Sequence, residues 1–309
     1  MLYFNWRRLV ADTFHALLPI RKPHLRIDGH RARTLVMFFL CLGWMGGSGR
    51  LGLVLDRVLF PWYRRARVRK PLFIVGNFRS GSTLLHRLLA SSPDFTALKT
   101  WEIYFAPSIS QRKFWRGVWI VDGWLGGHLR RAILAAQERR LGSVRMHRVR
   151  LDEPEEDEGL FLYLWDSLFN WFFVPRDADR NPYWRFDERV PAWRRKRAMR
   201  FYHGVLRRQI ALGNERLHYV SKSPSFTARM HSLLEEFPDA RFIELARHPY
   251  DCVVSTVGWL SYAWHFFASP RARFPFLETV LELTRTWYLL PEEFAERLPD
   301  DQYVLVHYE

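Results

Sequence analysis

Cysteine is scarce in this sequence: among 309 residues only Cys41 and Cys252 occur. Two thiols cannot build a disulfide framework, and no C-x-x-C pair or Cys/His cluster offers zinc-ligand spacing. That usage suits a reducing, cytoplasmic setting and predicts no metal. Lysine is scarce as well. Of 47 cationic residues only Lys22, Lys70, Lys99, Lys113, Lys196 and Lys222 are lysines, so 47 − 6 = 41 are arginines. Against 32 acidic residues the net charge is +15. Such a surface suits a phosphorylated cosubstrate or an anionic lipid. The arginines are scattered and accompany no recognition motif, so no nucleic-acid partner is expected. With 48% hydrophobic and 26% charged residues, whole-chain disorder and coiled coil are excluded.

A long uninterrupted apolar run is missing too. Leu35 to Gly47 is almost wholly apolar, but Arg50 interrupts before Leu51 to Leu55. A membrane span needs about 20 apolar residues. Basic residues flank the stretch: Arg21, Lys22, Arg26, Arg31 and Arg33 before it, Arg57, Arg64, Arg65, Arg67 and Arg69 after it. The pattern predicts a helix lying in an anionic leaflet, with the protein peripheral on the inner face of the membrane. A buried core helix and a true span are the competing readings. The apolar stretch starts too late for a cleaved signal peptide. Residues 1–70 thus read as a basic, partly apolar helical arm.

At residue 71 the pattern changes. Pro71-Leu-Phe-Ile-Val-Gly76 has the look of a buried parallel strand, and Ser82 to Ser91 that of a helix with leucines on one face. Residues 111–141 suggest a basic amphipathic helical region. Glu155 to Trp171 suggests a further helix, opened by carboxylates that complement its dipole. Leu217 to Ser221 and Arg241 to Ala246 read as strands, each followed by a helix, at Phe226 to Phe237 and Tyr250 to Phe267. Gln302 to His307 reads as a last strand. The alternation predicts an α/β domain over 71–309: an open, mostly parallel sheet flanked by helices.

After the first strand comes Gly76-Asn-Phe-Arg-Ser-Gly-Ser-Thr83, leading straight into a helix. Two glycines permit a tight turn, and the helix N-terminus adds partial positive charge, the recipe for a phosphate cradle. The spacing mimics a P-loop, yet Ser82 stands where a nucleoside-triphosphatase needs lysine. A P-loop-like kinase is therefore the disfavoured alternative, as is a membrane-associated scaffold of the same fold with impaired catalysis.

Phe78-Arg79-Ser80-Gly81-Ser82-Thr83 resembles the P-[KR]-S-G-[TS]-T loop of sulfotransferases that use 3′-phosphoadenosine 5′-phosphosulfate (PAPS), with Phe78 in place of proline. Arg247-His-Pro249 and Ser255, after the strand Arg241 to Ala246, are similar to that family's 3′-phosphate segment. The resemblance is to the bacterial and tyrosylprotein branch and covers about residues 71–260. It implies a P-loop-nucleotide-kinase-like fold and PAPS as cosubstrate. It assigns cofactor contacts to Arg79, Ser80, Gly81, Ser82, Thr83, Arg247 and Ser255.

Transfer of the sulfuryl group needs a base, cations for the sulfuryl oxygens and support for the departing phosphate. The expected base is Glu102, in Thr100-Trp101-Glu102 among aromatic neighbours that would desolvate it. The expected cations are Arg79 and Lys222. Lys222 follows a strand in a segment like the family's K-[SD]-P motif. The run Pro154-Glu-Glu-Asp-Glu158 resembles a P-x-E-D-E element of the bacterial branch and is assigned a structural or acceptor-recognition role. His86 and His248 lie where no base belongs. Trp165, Phe169, Trp171, Phe172, Phe173, Tyr183 and Trp184 read first as core and second as the lining of an apolar acceptor pocket. With the basic arm, they favour a lipid, glycolipid, carbohydrate or other membrane-associated hydroxyl acceptor. The final Tyr303-Val-Leu-Val-His-Tyr-Glu309 resembles the strand that precedes the family's last helices, so those helices are expected to be lacking here.

Overall fold

The structure is a computed structural model that describes residues 3–17, 28–141, 150–173, 181–268 and 276–308. Arg21, Lys22 and Arg26 of the basic flank lie outside the described residues, as do the side chains of Phe172 and Phe173.

Two helices come first, α1 (Trp6–Leu17) and α2 (Gly29–Leu59). Asp28 caps α2 by accepting from the Arg31 amide at 2.8 Å. The helix runs unbroken through Arg50, whose guanidinium turns inward to the Tyr163 carbonyl (3.0 Å) and over the Phe4 ring. Arg50 thus interrupts the apolar run without breaking the helix, because this cation has its own acceptor. At Gly52 a β-carbon would fall 2.2 Å from the Ser108 hydroxyl, so glycine sets how closely α2 approaches the chain below it.

The sheet begins at β1 (Leu72–Gly76), followed by α3 (Ser82–Ser91) and the short β2 (Phe95–Thr96). Next come α4 (Thr100–Phe105), α5 (Ile109–Trp124) and α6 (His128–Leu141). Residues 111–141 are thus two helices. They part at Gly126 and Gly127, with φ of 89° and 72°. The Asp122 carboxylate accepts the α6 amides of Leu129 (2.8 Å) and Arg130 (3.1 Å).

Residues 157–164 form a 3₁₀ helix, ended by Trp165 in the left-handed region (φ 57°), before the short α7 (Asn170–Phe173). The long α-helix predicted from Glu155 to Trp171 is corrected here. Its acidic residues find tertiary partners, and its apolar residues are buried all round, so no one-sided helix is required. Two further helices, α8 (Phe186–Arg189) and α9 (Ala192–Leu212), lead to β3 (His218–Lys222). A 3₁₀ turn at Pro224–Arg229 precedes α10 (Met230–Glu236), which shortens the predicted helix from Phe226. Then follow β4 (Arg241–Ala246), α11 (Pro249–Ala268), α12 (Leu277–Ala295) and β5 (Tyr303–His307).

The five strands lie in the order β2-β3-β1-β4-β5 and every pairing is parallel, as the strand–helix alternation predicted. β1 is central and wholly buried. Phe73 and Val75 belong to the main core, where Phe73 meets Tyr202, Phe226, Phe237 and Phe242. Leu72 and Ile74 join the core beneath α3, with Leu85 and Leu89 packed against them. The period-two alternation thus assigns each residue to one of two helical layers. The chain leaves β1 toward β2 but leaves β4 toward β5. A crevice opens between such strands at their carboxyl ends, where ligands of open α/β sheets sit.

Candidate active site

The loop after β1 has the geometry of an anion cradle. Gly76 takes φ 122°, and a β-carbon there would lie 2.5 Å from the Leu245 carbonyl. Gly81 takes φ 86° at the N-cap of α3, which has no side-chain cap. The first amides of α3 are therefore left for a ligand. The Tyr308 ring lies directly on Gly81, where a β-carbon would collide with it.

Three neighbouring strands converge on this loop. Lys222 is the last residue of β3, and Arg247 follows β4. Together with Arg79, Gly81, Ser82, Thr83 and Glu156 they line a cleft of about 200 Å³, whose apolar wall includes Phe78 and Trp259. The structure therefore brings the predicted loop, Lys222 and Arg247 into one cavity.

Inside it the groups are tied together. Arg79 adopts φ 66°, donates from Nε to Ser255 Oγ at 3.0 Å, and accepts at its carbonyl from Arg247 Nη1 at 3.1 Å. Arg247 also lies 3.5 Å from Asp251 and over the Tyr308 ring. Ser80 does not line the cleft; its buried hydroxyl bonds the Asn77 carbonyl at 2.9 Å and holds the loop's own shape.

Glu102 is placed elsewhere. One carboxylate oxygen accepts the Lys99 amide (2.8 Å) at the start of α4, and the other lies 3.6 Å from Arg112. Neither oxygen reaches the cleft lining. The carboxylate in the cleft is Glu156, 2.6 Å from Lys222 Nζ. Sequence reasoning missed this role because the partners are 66 residues apart. The signal lay in the P-x-E-D-E run, whose members split three ways. Glu156 meets Lys222. Asp157 is buried, accepts from the hydroxyls of Tyr202 and Tyr219, and is pushed up by burial to about 6. Glu158 pairs with Arg229 at 2.8 Å in the core, where burial raises it while Arg229 opposes the rise.

His86 is buried in α3, and burial lowers it to about 3, so it stays neutral. His248 is exposed and not part of the cleft lining. Trp165, Trp171, Tyr183 and Trp184 are buried, none of them lining the cleft. Their first reading, as core, fits this placement. No cluster of metal-ligating side chains exists among the described residues.

A family model described as sulfotransferase family matches residues 71–309. The chain belongs to the sulfotransferase family. Curated relatives of this family member include the omega-hydroxy-beta-dihydromenaquinone-9 sulfotransferase Stf3 of Mycobacterium bovis and that of Mycobacterium tuberculosis. Each is 28% identical over 195 residues, covering 60% of this chain and 44% of the relative. The chain thus spans less than half the length of those relatives. Among solved structures, sulfotransferase STF9 from Mycobacterium avium aligns with a TM-score of 0.72 at 21% identity, over 97% of this chain and 72% of that one. STF1 from Mycobacterium tuberculosis aligns at 0.70 and 19%, over 98% and 78%. At these identities the structural likeness speaks for the fold.

Proposed function

We propose that this sulfotransferase moves a sulfuryl group from PAPS to the hydroxyl of a lipid-borne acceptor, working peripherally at the inner face of a membrane. The observation that carries the reading is one cleft holding an uncapped helix N-terminus and Arg79 beside a lysine–carboxylate pair, with Arg247 at its edge. That donor set fits a nucleotide with phosphates at both ends.

PAPS supplies the sulfuryl group and a phosphate leaving group. The α3 amides and Thr83 hold the 5′ end, and Arg247 offers a planar fork to the 3′-phosphate. Ser255 acts through Arg79, whose side chain it fixes. Lys222 and Arg79 neutralise charge that builds between donor and acceptor. Glu156 is the proposed base: it accepts the acceptor's proton, and its place in the cleft favours it over Glu102, which bonds the Lys99 amide outside the lining. The Stf3 relatives are named for a menaquinone-derived acceptor. An isoprenoid alcohol of that kind suits the apolar wall of Phe78 and Trp259.

Calorimetry with adenosine 3′,5′-bisphosphate tests the donor site, and saturable binding without metal is expected. Radiolabelled PAPS with a membrane lipid extract tests the acceptor class. Stabilisation by MgATP but not by the bisphosphate would hand the fold to a kinase.

A further inference from the structure

Away from the cleft, the surface inverts the usual pattern of a folded chain. The outward side of α2 carries Val36, Leu40, Trp44, Leu51, Leu55 and Val58, with Trp44 70% exposed. Between Arg33 and Arg57 no exposed residue of this helix is charged. Its polar residues face inward instead, where Asp56 meets Arg208 at 2.7 Å and two α5 amides at 2.8 Å each. A water-facing helix side normally carries the polar residues. At about 46 Å, by 31 residues of about 1.5 Å each, the helix could cross a bilayer. Yet its inner side is packed on the body from Arg31 to Asp56, so it lies along the protein.

The apolar surface continues. Lys113 of α5 sits 4.7 Å over the Phe60 ring and 5.9 Å over Trp62, joining α5 to the end of α2. Beyond it Phe114, Ile120, Val121, Trp124 and Leu125 are exposed, Trp124 by 81%. Beside the C-terminal end of α2 lies a second cleft, of about 460 Å³, lined by Arg57, Arg64, Arg200, Arg207 and Arg208. Arg208 is held by Asp56, and Arg207 donates to His203. Arg57, Arg64 and Arg200 have no side-chain hydrogen bond or ion pair among the described residues.

We infer that the outer side of α2, the free end of α5 and this arginine cleft form one docking surface for an anionic bilayer. Apolar side chains with tryptophans enter the acyl boundary, and the unpartnered guanidinium groups take lipid phosphates at its edge. The combination selects the occupant: a long uncharged apolar strip with exposed tryptophans, edged by unpartnered arginines, matches an acyl layer edged by phosphates, whose oxygens fit the guanidinium fork. The proposal deepens the reading of a lipid-borne acceptor and rests on it for its purpose, but vesicle binding is measured without turnover.

The test is co-sedimentation of the full chain with vesicles of phosphatidylcholine alone or mixed with phosphatidylglycerol. Binding to the mixed vesicles only, weakened by salt, is expected. Trp44→Ser with Trp124→Ser, and separately Arg57→Glu with Arg64→Glu, should each weaken partitioning by about tenfold or more. Melting temperature and adenosine 3′,5′-bisphosphate binding should persist in both variants, which separates this surface from the donor site. Inorganic phosphate should displace no more protein from vesicles than sodium chloride of equal ionic strength; a larger loss would make the cleft a site for free anions and overturn the proposal. Lack of vesicle binding, or equal binding by the arginine variant, would overturn the proposal. So would a dimer dissolved by the tryptophan variant, or retention in vesicles after alkaline extraction, which marks a span.

Discussion

Glu156 and Glu158 are two residues apart, and each faces one cation, yet the two ion pairs have different surroundings. The Lys222–Glu156 side chains are 2% and 13% exposed and open to the cleft, whereas Arg229 and Glu158 are both 0% exposed. Arg229 is sandwiched between the rings of Phe161 and Phe186, and Glu158 also accepts from Ser225. Desolvated charges of this kind keep their place only while every partner is present. The comparison shows one acidic run divided between core and cleft. The start of a 3₁₀ helix sends alternate carboxylates in different directions, Glu158 into the core and Glu156 toward the cleft.

The comparison breaks most sharply at the buried pair. Glu158→Gln should cost about 3–5 kcal/mol of stability by stranding Arg229, read as a shifted denaturant midpoint. If its fold is as stable as the parent, the buried pair has no structural role. At the open pair the expected loss is in rate. Glu156→Gln should lower turnover by about 10²–10⁴ and Lys222→Ala by about 10²–10³, with bisphosphate affinity nearly kept. Full turnover in Glu156→Gln would remove it as the base.

Asp157, between the two glutamates, sharpens the contrast through pH. Its folded value of about 6 lies above the ordinary 3.8, so the folded chain holds the proton more tightly than the unfolded one. Its stabilising contribution is complete below the ordinary value and is lost as pH rises through about 6. Asp157→Asn should erase a slope on the order of 1–3 kcal/mol, measured by denaturation against the parent across that window. The smallest effect belongs to Glu102→Gln, expected to cost about 1 kcal/mol through a weakened helix start, with turnover intact. A large fall in turnover there would restore Glu102 as the base.

Much of the fold was legible. β1 is a short apolar run and β4 a largely apolar one, each closed by turn residues, and the loop before α3 announces itself through Gly76 and Gly81. Sequence reading failed where tertiary partners overrule local pattern. The carboxylates from Glu156 onward resemble a helix start, but their donors come from β3, the following turn and α9. Glu102 had suitable neighbours in sequence; its contacts to the Lys99 amide and Arg112, set outside the cleft lining, were not visible there. That the Arg50 side chain turns inward to the Tyr163 carbonyl could not be seen from local sequence either.

The hydrogen bond from Arg247 to the main-chain carbonyl of Arg79 makes the two ends of the proposed nucleotide site one mechanical unit. Arg79 holds a left-handed backbone without being glycine, and that conformation leans on Ser255 and Arg247 for support. Losses at these positions should therefore not add: in a double-mutant cycle, Arg79→Ala and Arg247→Ala together should cost less bisphosphate affinity than their sum. A variant tuned at one end alone will carry its disturbance to the other.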